Sequence, residues 1–338
     1  VNKNQLISLL RQKKQLKSSD ISAYFGVSQR TALRFLTELL DQKIVSISGK
    51  AKNTYYQLTN LGILTYQPNV EIDLNEQRLS SDPILFNFEI LDSFDEFDFT
   101  LAEKKQLALA TKTYQTKLAK DSEVIKSKEM QRLIVEFSWK SSQIEGNTYS
   151  LLETENLLNL GKTQQNHSQQ ETQMILNHKQ AFEFILSDPQ YFKTLNTKKL
   201  FEIHKILTNK LNIKNDFRSG SVGISGSLYR PIDNKIQLQE QTQKLFEKLN
   251  SIEDIYLKIL ILGISINYIQ PFEDCNKRTS RLLSNAILMA YNLPLISYRS
   301  TPVEDYRTAV LTFYELNSIY LYKQIFIDQI VFFSQNYF

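Results

Sequence analysis

The sequence predicts a mainly helical chain in which a small, basic α+β unit precedes a larger helical body. Three observations point there. Only nine glycines and seven prolines interrupt 338 residues rich in Leu, Ile, Lys and Gln, which favours helices over turn-dense sheet folds. Ile255, Ile259, Leu262, Ile266 and Ile269 follow spacings of four, three, four and three, marking one buried helical face. Residues 1–60 carry ten Lys or Arg against three acids, a local charge of +7 that leaves −3 for the remainder of a chain at +4. The length suffices for two or three domains, and we divide it at 1–66, 67–122 and 123–338. No apolar run is long enough to span a bilayer, so no membrane partner is expected. The opening VNKNQLISLL lacks a secretory pattern. A single cysteine, Cys275, excludes an internal disulfide framework. A cytoplasmic location is expected.

In the first unit, Leu6, Ile7, Leu9 and Leu10 cluster on one side of an opening helix. Ser18 or Ser19 can cap a second helix running through Phe25. Gly26-Val27-Ser28 makes a tight turn, and Ser28 can cap a third helix whose core face is Ala32, Leu33, Leu36, Leu39 and Leu40. Ile44–Ile47 and Thr54–Leu58 alternate like paired strands around a basic tip, Ser48 to Lys52. This order reads as a winged helix–turn–helix. Gln29, Arg30 and Arg34 would face a major groove, with Lys50 and Lys52 on the wing. DNA is therefore an expected partner, because phosphate neutralisation supplies most non-specific affinity. Protein contact or self-association into a homo-oligomer is the alternative use of such a unit, and no base preference follows from these side chains.

Residues 67–122 read as a helical linker region. Asp92 to Asp98 (DSFDEFD) is acidic and aromatic, and a helix begins near Leu101. The phenylalanines are expected to pack on the body that follows.

The most informative stretch is Ile269 to Leu283, IQPFEDCNKRTSRLL. Pro271 ends the preceding buried helix, and Asp274 or Asn276 can cap a new helix running to about Tyr291. Amides at the start of such a helix point outward and, with the helix dipole, favour an anion. Arg278 and Arg281, three apart, share one face of it. Two guanidiniums beside a cradle of amides suit a polyphosphate, and Asp274 offers a hard oxygen for a phosphate-bound magnesium. On these residues alone, a cluster of surface salt bridges is the commoner explanation of such a pattern.

The stretch resembles the signature of the Fic family, His-x-Phe-x-Asp/Glu-Gly/Ala-Asn-Gly/Lys-Arg-x-x-Arg. Phe272, Asp274, Asn276, Lys277, Arg278 and Arg281 match in register, while Gln270 and Cys275 depart. The resemblance covers roughly Glu123 to the carboxyl end. It implies an all-α domain with one β-hairpin flap, and a site for ATP and Mg2+. Asp274 would hold the metal, and the loop amides with Asn276 would cradle the inner phosphates. Arg278 would clamp the outer phosphates and Arg281 would orient the last one. Ser141-Ser142-Gln143-Ile144-Glu145-Gly146-Asn147 resembles the family's inhibitory motif, in which the glutamate opposes the second arginine, here Glu145 against Arg281. Gly220 to Pro231, with Val222, Ile224, Ser225 and Gly226, resembles the flap that pairs with a target peptide. Tyr314 and Asn317 fall where the family places its adenine pocket.

In that family the histidine at position 270 accepts the proton of a target Ser, Thr or Tyr hydroxyl. Glutamine has no basic nitrogen and can only hydrogen-bond; loss of a general base costs about 10²–10⁴ in rate. His167, His178 and His204 are the only histidines, and the last two sit in helical patterns as structural residues. Cys275 has no base near it in sequence to make it a nucleophile. Gly161-Lys162-Thr163 lacks the first glycine of a P-loop, no zinc-ligand spacing exists, and there is no GxSxG elbow. The expectation is an ATP- and magnesium-binding, self-inhibited, degenerate adenylyltransferase coupled to DNA binding, with AMP transfer weak or absent. The alternatives are an active transferase whose base comes from elsewhere and a non-enzymatic DNA-binding regulator.

Overall fold

The computed structural model describes residues 2–79, 82–163 and 165–338. Helix α1 (Lys3–Lys13) starts from a reciprocal cap: Asn2 Oδ1 accepts from Gln5 N, and Gln5 Oε1 accepts from Asn2 N. Strand β1 (Gln15–Leu16), helices α2 (Ser18–Phe25) and α3 (Gln29–Asp41), and strands β2 (Val45–Ser48) and β3 (Tyr55–Leu58) follow. The strands form an antiparallel sheet in the order β1-β3-β2, with Leu16 and Ile47 flanking Tyr56. Leu6, Leu10, Ile21, Ala32, Leu36, Leu39 and Val45 pack with Tyr56 into a core separate from the rest. Ser28 Oγ accepts from Thr31 N at 3.1 Å, as its position before α3 predicts.

Three local expectations are corrected here. Neither Ser18 nor Ser19 caps α2. The cap is Lys17, whose amide donates to Asp20 Oδ2 at 2.9 Å. Leu33, expected in the core, is 40% exposed, because its turn of α3 carries the outward face. β1 was not anticipated, since two residues carry no readable period.

Helix α4 (Asn60–Thr65) brings the chain onto the larger body, where Leu64 O accepts from Ile319 N at 2.9 Å. Helix α5 (Val70–Leu79), strand β4 (Ile84–Leu85) and helix α6 (Leu101–Lys120) come next. Phe86, Phe94, Phe97 and Phe99 are buried in the main core, so the acidic segment does pack its aromatic rings as expected. Leu107, Ala110 and Tyr114 of α6 join the same core; the 67–122 region is thus part of the body rather than a free spacer.

The remaining elements are α7 (Glu123–Ile144), α8 (Leu151–Leu160), α9 (Gln169–Ser187), α10 (Thr197–Leu207), β5 (Tyr229–Arg230), α11 (Lys235–Ser251), α12 (Ile255–Ile269), α13 (Asn276–Ala290), α14 (Val303–Leu316) and α15 (Tyr320–Asn336). Ser150 with Glu153 and Ser168 with Glu171 form capping boxes that start α8 and α9. α12 lies at the centre. Every residue from Lys258 to Ile269 is buried, so the expected single apolar face is in fact a helix wrapped on all sides. A Cβ on Gly263 would lie 2.4 Å from Tyr322 Oη, so glycine is what lets α15 close against α12. Truncating a fully buried side chain such as Leu262 to Ala would cost about 2–5 kcal/mol. Among the described residues, no helix is long and apolar enough to cross a membrane.

Candidate functional site

The central helix ends where the sequence motif begins. Gln270 closes α12 with φ 53° and ψ 60°, a left-handed conformation unusual for a side chain with a Cβ. Cys275, just before α13, is left-handed too, at φ 70°. Between them the loop is braced from inside. Phe272 N donates to Asn276 Oδ1 at 2.9 Å, and Asn276 Nδ2 donates to Phe272 O at 2.9 Å and Gln270 Oε1 at 2.8 Å. Asp274 Oδ1 accepts from Cys275 N, and Oδ2 pairs with Arg278 at 3.0 Å. Neither Asp274 nor Asn276 therefore caps α13 as expected: Asn276 is its first residue and spends its side chain on the loop. The first-turn amides of a helix have no intrahelical partner, and here they begin directly at the loop.

Below the loop, Phe272 stacks on His204 with ring centres 3.6 Å apart, and His204 Nε2 donates to Asp274 O at 3.2 Å. Burial lowers the His204 pKa, and Nδ1 faces Asn215 Oδ1 at 2.8 Å. Gln270 Nε2 donates to Asn267 O at 2.6 Å and Tyr314 Oη at 3.2 Å. Arg218 is buried and has its charge answered by three backbone carbonyls, those of Gln270 (2.7 Å), Gly220 (2.6 Å) and Ile232. Its own amide donates to Pro271 O at 3.0 Å. One side chain thus ties the left-handed Gln270 to the start of the 220–231 segment.

The two arginines of α13 lie in different surroundings. Arg278 is buried and pairs with Asp274, which is 64% exposed; the Arg278 Nη1 is buried without a hydrogen-bond partner among the described residues. Arg281 is fully buried. Its Nη2 lies 2.9 Å from Glu145 Oε1, Nε donates to Ser141 Oγ at 3.0 Å, and Nη2 also donates to Ser141 O at 2.9 Å. Glu145 Oε2 meets Lys277 Nζ at 2.9 Å. Burial alone would raise the Glu145 carboxyl, but Arg281, Lys277 and Arg278 outweigh it and hold the pKa at about 2. Glu145 is therefore a buried-edge carboxylate clamped by two cations.

These groups border a cleft of about 180 Å3 lined by Glu145, Val222, Ile224, Ser225, Gln270, Asp274, Cys275, Asn276, Lys277 and Tyr314. A smaller hollow of about 90 Å3 adjoins it at Ile144, Ile224, Lys277, Tyr306, Val310 and Tyr314. A larger groove of about 430 Å3 runs along α7 and α8 past Lys128, Arg132 and Glu155 but contains no motif residue. The chemistry sits in the smaller space.

Residues 194–288 match the sequence profile of the Fic/DOC family. The chain carries a Fic-family domain. The protein adenylyltransferase Fic of Aedes aegypti is 26% identical over 252 residues, covering 72% of this chain and 46% of that relative. This chain thus spans about half the length of that curated relative. Among solved structures, a fragment of Fic-1 from C. elegans superposes with a TM-score of 0.59 at 20% identity, over 70% of this chain and 71% of that one. A Fic domain-containing signaling protein from Bacteroides thetaiotaomicron superposes with a TM-score of 0.59 at 21% identity, over 68% and 94%. At such identities the likeness is one of fold, and it agrees with the mainly helical class read from the sequence.

Within the Fic-family domain, the loop from Gln270 to Arg281 lies inside the matched segment, whereas Ser141 and Glu145 reach it from α7, outside that segment. The expected β-hairpin flap is corrected. Residues 220–228 form no strand, and only Tyr229–Arg230 pairs, in parallel, with β4 (Ile84 opposite Tyr229, Leu85 opposite Arg230). Three glycines and three serines leave too few β-formers for the segment to pair with itself. Gly226 adopts φ 76°, and its carbonyl accepts from Arg78 Nη2 at 3.0 Å. Asn317 lies outside the cleft: it ends α14 and donates to Tyr268 Oη and Phe313 O, both at 3.1 Å. Asn147 shapes the turn after α7 by donating to Glu171 O at 2.9 Å, beside Gly146 at φ 93°. In the amino-terminal unit Gln29, Arg30, Arg34 and Lys50 are exposed; the Lys52 side chain lies outside the described residues. His178, Arg218 and Tyr306 border the site chemistry without having been singled out for it. Each reaches it from a distant element, and no local spacing signals that.

Proposed function

We propose that the Fic-family domain binds ATP with magnesium in the cleft between the motif loop and residues 222–225, and that Glu145 opposes that binding. The observation that carries this reading is the Glu145 carboxylate lodged between Arg281 and Lys277, at 2.9 Å from each. Lys277 already lines the cleft, but an anion entering it meets the buried Arg281 only after the carboxylate gives way. The donor set fits the ligand. Arg278 Nη1 is a buried donor with no hydrogen-bond partner among the described residues, the kind of group that a bound phosphate satisfies. Asp274 is an exposed carboxylate at the cleft, next to exposed Glu273, and a site so poor in carboxylates suits a magnesium ion that takes most of its oxygens from phosphate and water. The metal, when bound, would neutralise phosphate charge.

Adenylyl transfer to a Ser, Thr or Tyr hydroxyl requires a group to take the hydroxyl proton. Gln270 cannot: its nitrogen donates to Asn267 O and Tyr314, and its oxygen accepts from Asn276. Neither His178 nor His204 lines the cleft. We therefore infer nucleotide binding with transfer slowed by about 10²–10⁴, the activity of the mosquito relative being diminished rather than retained. The amino-terminal unit, read as a winged helix–turn–helix, presents its exposed Arg30, Arg34 and Lys50 to DNA.

Calorimetry of ATP with magnesium on the native chain and on Glu145→Gly tests the site, together with label transfer from α-labelled ATP by Glu145→Gly and Glu145→Gly/Gln270→His. Binding by both proteins, with transfer only in the double variant, is expected. Absence of ATP binding by Glu145→Gly would sink the reading.

A further inference from the structure

Arg281 is held by two sets of contacts, and only one of them involves Glu145. The other begins at Ser141, whose hydroxyl oxygen accepts from Arg281 Nε at 3.0 Å. A guanidinium has only donors, so the Ser141 proton must point elsewhere. It points at His178 Nε2, 3.0 Å away. That nitrogen can accept only if the ring proton is on Nδ1, and Nδ1 faces the Met174 carbonyl at 2.8 Å, an acceptor that requires N–H there. Ser142 Oγ, 3.4 Å from Nδ1, makes a longer contact on the same side. Every proton in the chain Met174 O, His178, Ser141, Arg281 is thereby fixed in direction. Ser141, His178 and Arg281 are each almost wholly buried. Burial, with Arg278 and Arg281 nearby, lowers the His178 pKa to about 3, which keeps the ring neutral and able to accept.

We propose that His178 and Ser141 are positioning residues that hold the buried Arg281 guanidinium in place behind Glu145 at the cleft wall, independently of Glu145, so that the arginine is already oriented when an outer phosphate displaces the carboxylate. The inference rests on the nucleotide reading of the cleft and names which residues set its selectivity for a third phosphate. Without the relay, Arg281 Nε loses its fixed acceptor and the guanidinium can rotate toward Tyr306, whose hydroxyl lies 3.4 Å from Nη1. An arginine so displaced would meet an outer phosphate poorly while leaving the inner phosphates, at the loop amides, untouched.

The test compares ATP and ADP affinities, with magnesium, for Glu145→Gly, Glu145→Gly/Ser141→Ala and Glu145→Gly/His178→Phe in the full chain. Both double variants are expected to weaken ATP by about 10-fold, the loss of one charge-assisted hydrogen bond, with ADP changed less than about 2-fold. Glu145→Gly/His178→Gln, whose amide offers both a donor and an acceptor, should recover part of the ATP affinity. Equal losses for ATP and ADP would mean a general packing defect and overturn the proposal, as would unchanged ATP affinity in both double variants. If His178→Phe fails to fold, Ser141→Ala, which deletes a single oxygen, decides alone. No binding of either nucleotide by Glu145→Gly would instead remove the nucleotide reading and the relay's role with it.

Discussion

Replacing Glu145 by glycine should move stability and affinity in opposite directions. The carboxylate lies 2.9 Å from both Arg281 and Lys277, and its pKa falls from 4.5 to about 2. At about 1.4 kcal/mol per pKa unit, that depression is worth about 3 kcal/mol of preference for the charged form. Arg281 is fully buried, so deleting its counter-charge leaves a buried cation uncompensated, a change that costs about 3–5 kcal/mol when the pair is fully enclosed. The 15% exposure of Glu145 trims the loss to roughly 2–3 kcal/mol, which is about 5–10 °C or less in Tm for a chain of this size. The same deletion removes what an incoming polyphosphate must displace, so ATP affinity should rise about 10- to 100-fold, corresponding to about 1.4–2.7 kcal/mol.

The assay is a pair of titrations. Thermal unfolding without ligand should show Glu145→Gly below the native chain, and saturating ATP with magnesium should raise the variant's Tm more than the native one's. Calorimetry should give the tighter Kd directly. A fall in Tm with unchanged ATP affinity would mean that Glu145 stabilises Arg281 without blocking the cleft, and the inhibitory role would be wrong.

Four further outcomes are expected. Glu145 has a depressed folded-state pKa, so its contribution is complete above about 4.5 and lost as pH falls toward about 2; Glu145→Gln should flatten the acid limb of stability in that window, and an unchanged limb would contradict the ion-pair assignment. His178 is buried neutral with a pKa of about 3 against an ordinary 6.5, so the unfolded chain takes up its proton first and stability declines as pH drops below 6.5; denaturant midpoints from pH 7 to 4 should fall less steeply in His178→Phe than in Ser141→Ala, the remaining histidine decline coming from His204, and equal slopes would contradict the assignment. The Cys275 thiol is buried and pushed up to about 11 by that burial, so a disulfide reagent at pH 8 should label it only after unfolding, and rapid labelling of the native chain would place the thiol in solvent. Arg30→Ala/Arg34→Ala should weaken DNA binding and reduce the salt slope by about 2, and a slope unaffected by the change would remove α3 from the contact.

The loop was legible because its chemistry is local. Phe272, Asn276 and Arg278 act within eight residues of Gln270, and a one-dimensional pattern can hold that much. Glu145 was legible for a different reason: its own short motif surrounds it, although its partner Arg281 is far along the chain. What could not be read is what arrives from elsewhere without a motif. Arg218 ties Gln270 O to Gly220 O, and His178 orients Ser141, through contacts that depend on how α9 and the 217–232 segment pack. The flap was misjudged because strand propensity was weighed without asking what would pair with it, and the partner proved to be Ile84–Leu85 from the other side of the sequence. The apolar spacing of α12 marks a buried face that the structure contains, while the burial of the polar residues between, Lys258, Ser265 and Asn267, depends on packing from the other sides and leaves no period in the sequence.

Arg218, Arg278 and Arg281 are all buried around the Gln270–Cys275 loop and the first turns of α13, and that concentration supports the proposed ligand site over a purely structural role. Burying a guanidinium is expensive, and apolar replacements of similar volume are often as stable or more so. A purely structural loop would be expected to satisfy each charge completely. Arg218 meets that standard, with carbonyls on every side of its fork. Arg278 does not, because among the described residues Nη1 has no hydrogen-bond partner and its only carboxylate, Asp274, is mostly in solvent. Arg281 donates to Ser141 Oγ, Ser141 O and Tyr306 Oη, but its only carboxylate among the described residues is Glu145, a side chain at the cleft wall with a second cation competing for it. The fully satisfied Arg218 holds the backbone, and the two arginines of α13 depend on carboxylates at the cleft. Local rules fail together here, with left-handed Gln270 and Cys275 beside the under-partnered Arg278, and such clustered violations are what a ligand site produces. Among the described residues Arg278 Nη1 is a buried donor without an acceptor, and that group favours an anion over a cation or an apolar molecule as the ligand we propose for this cleft.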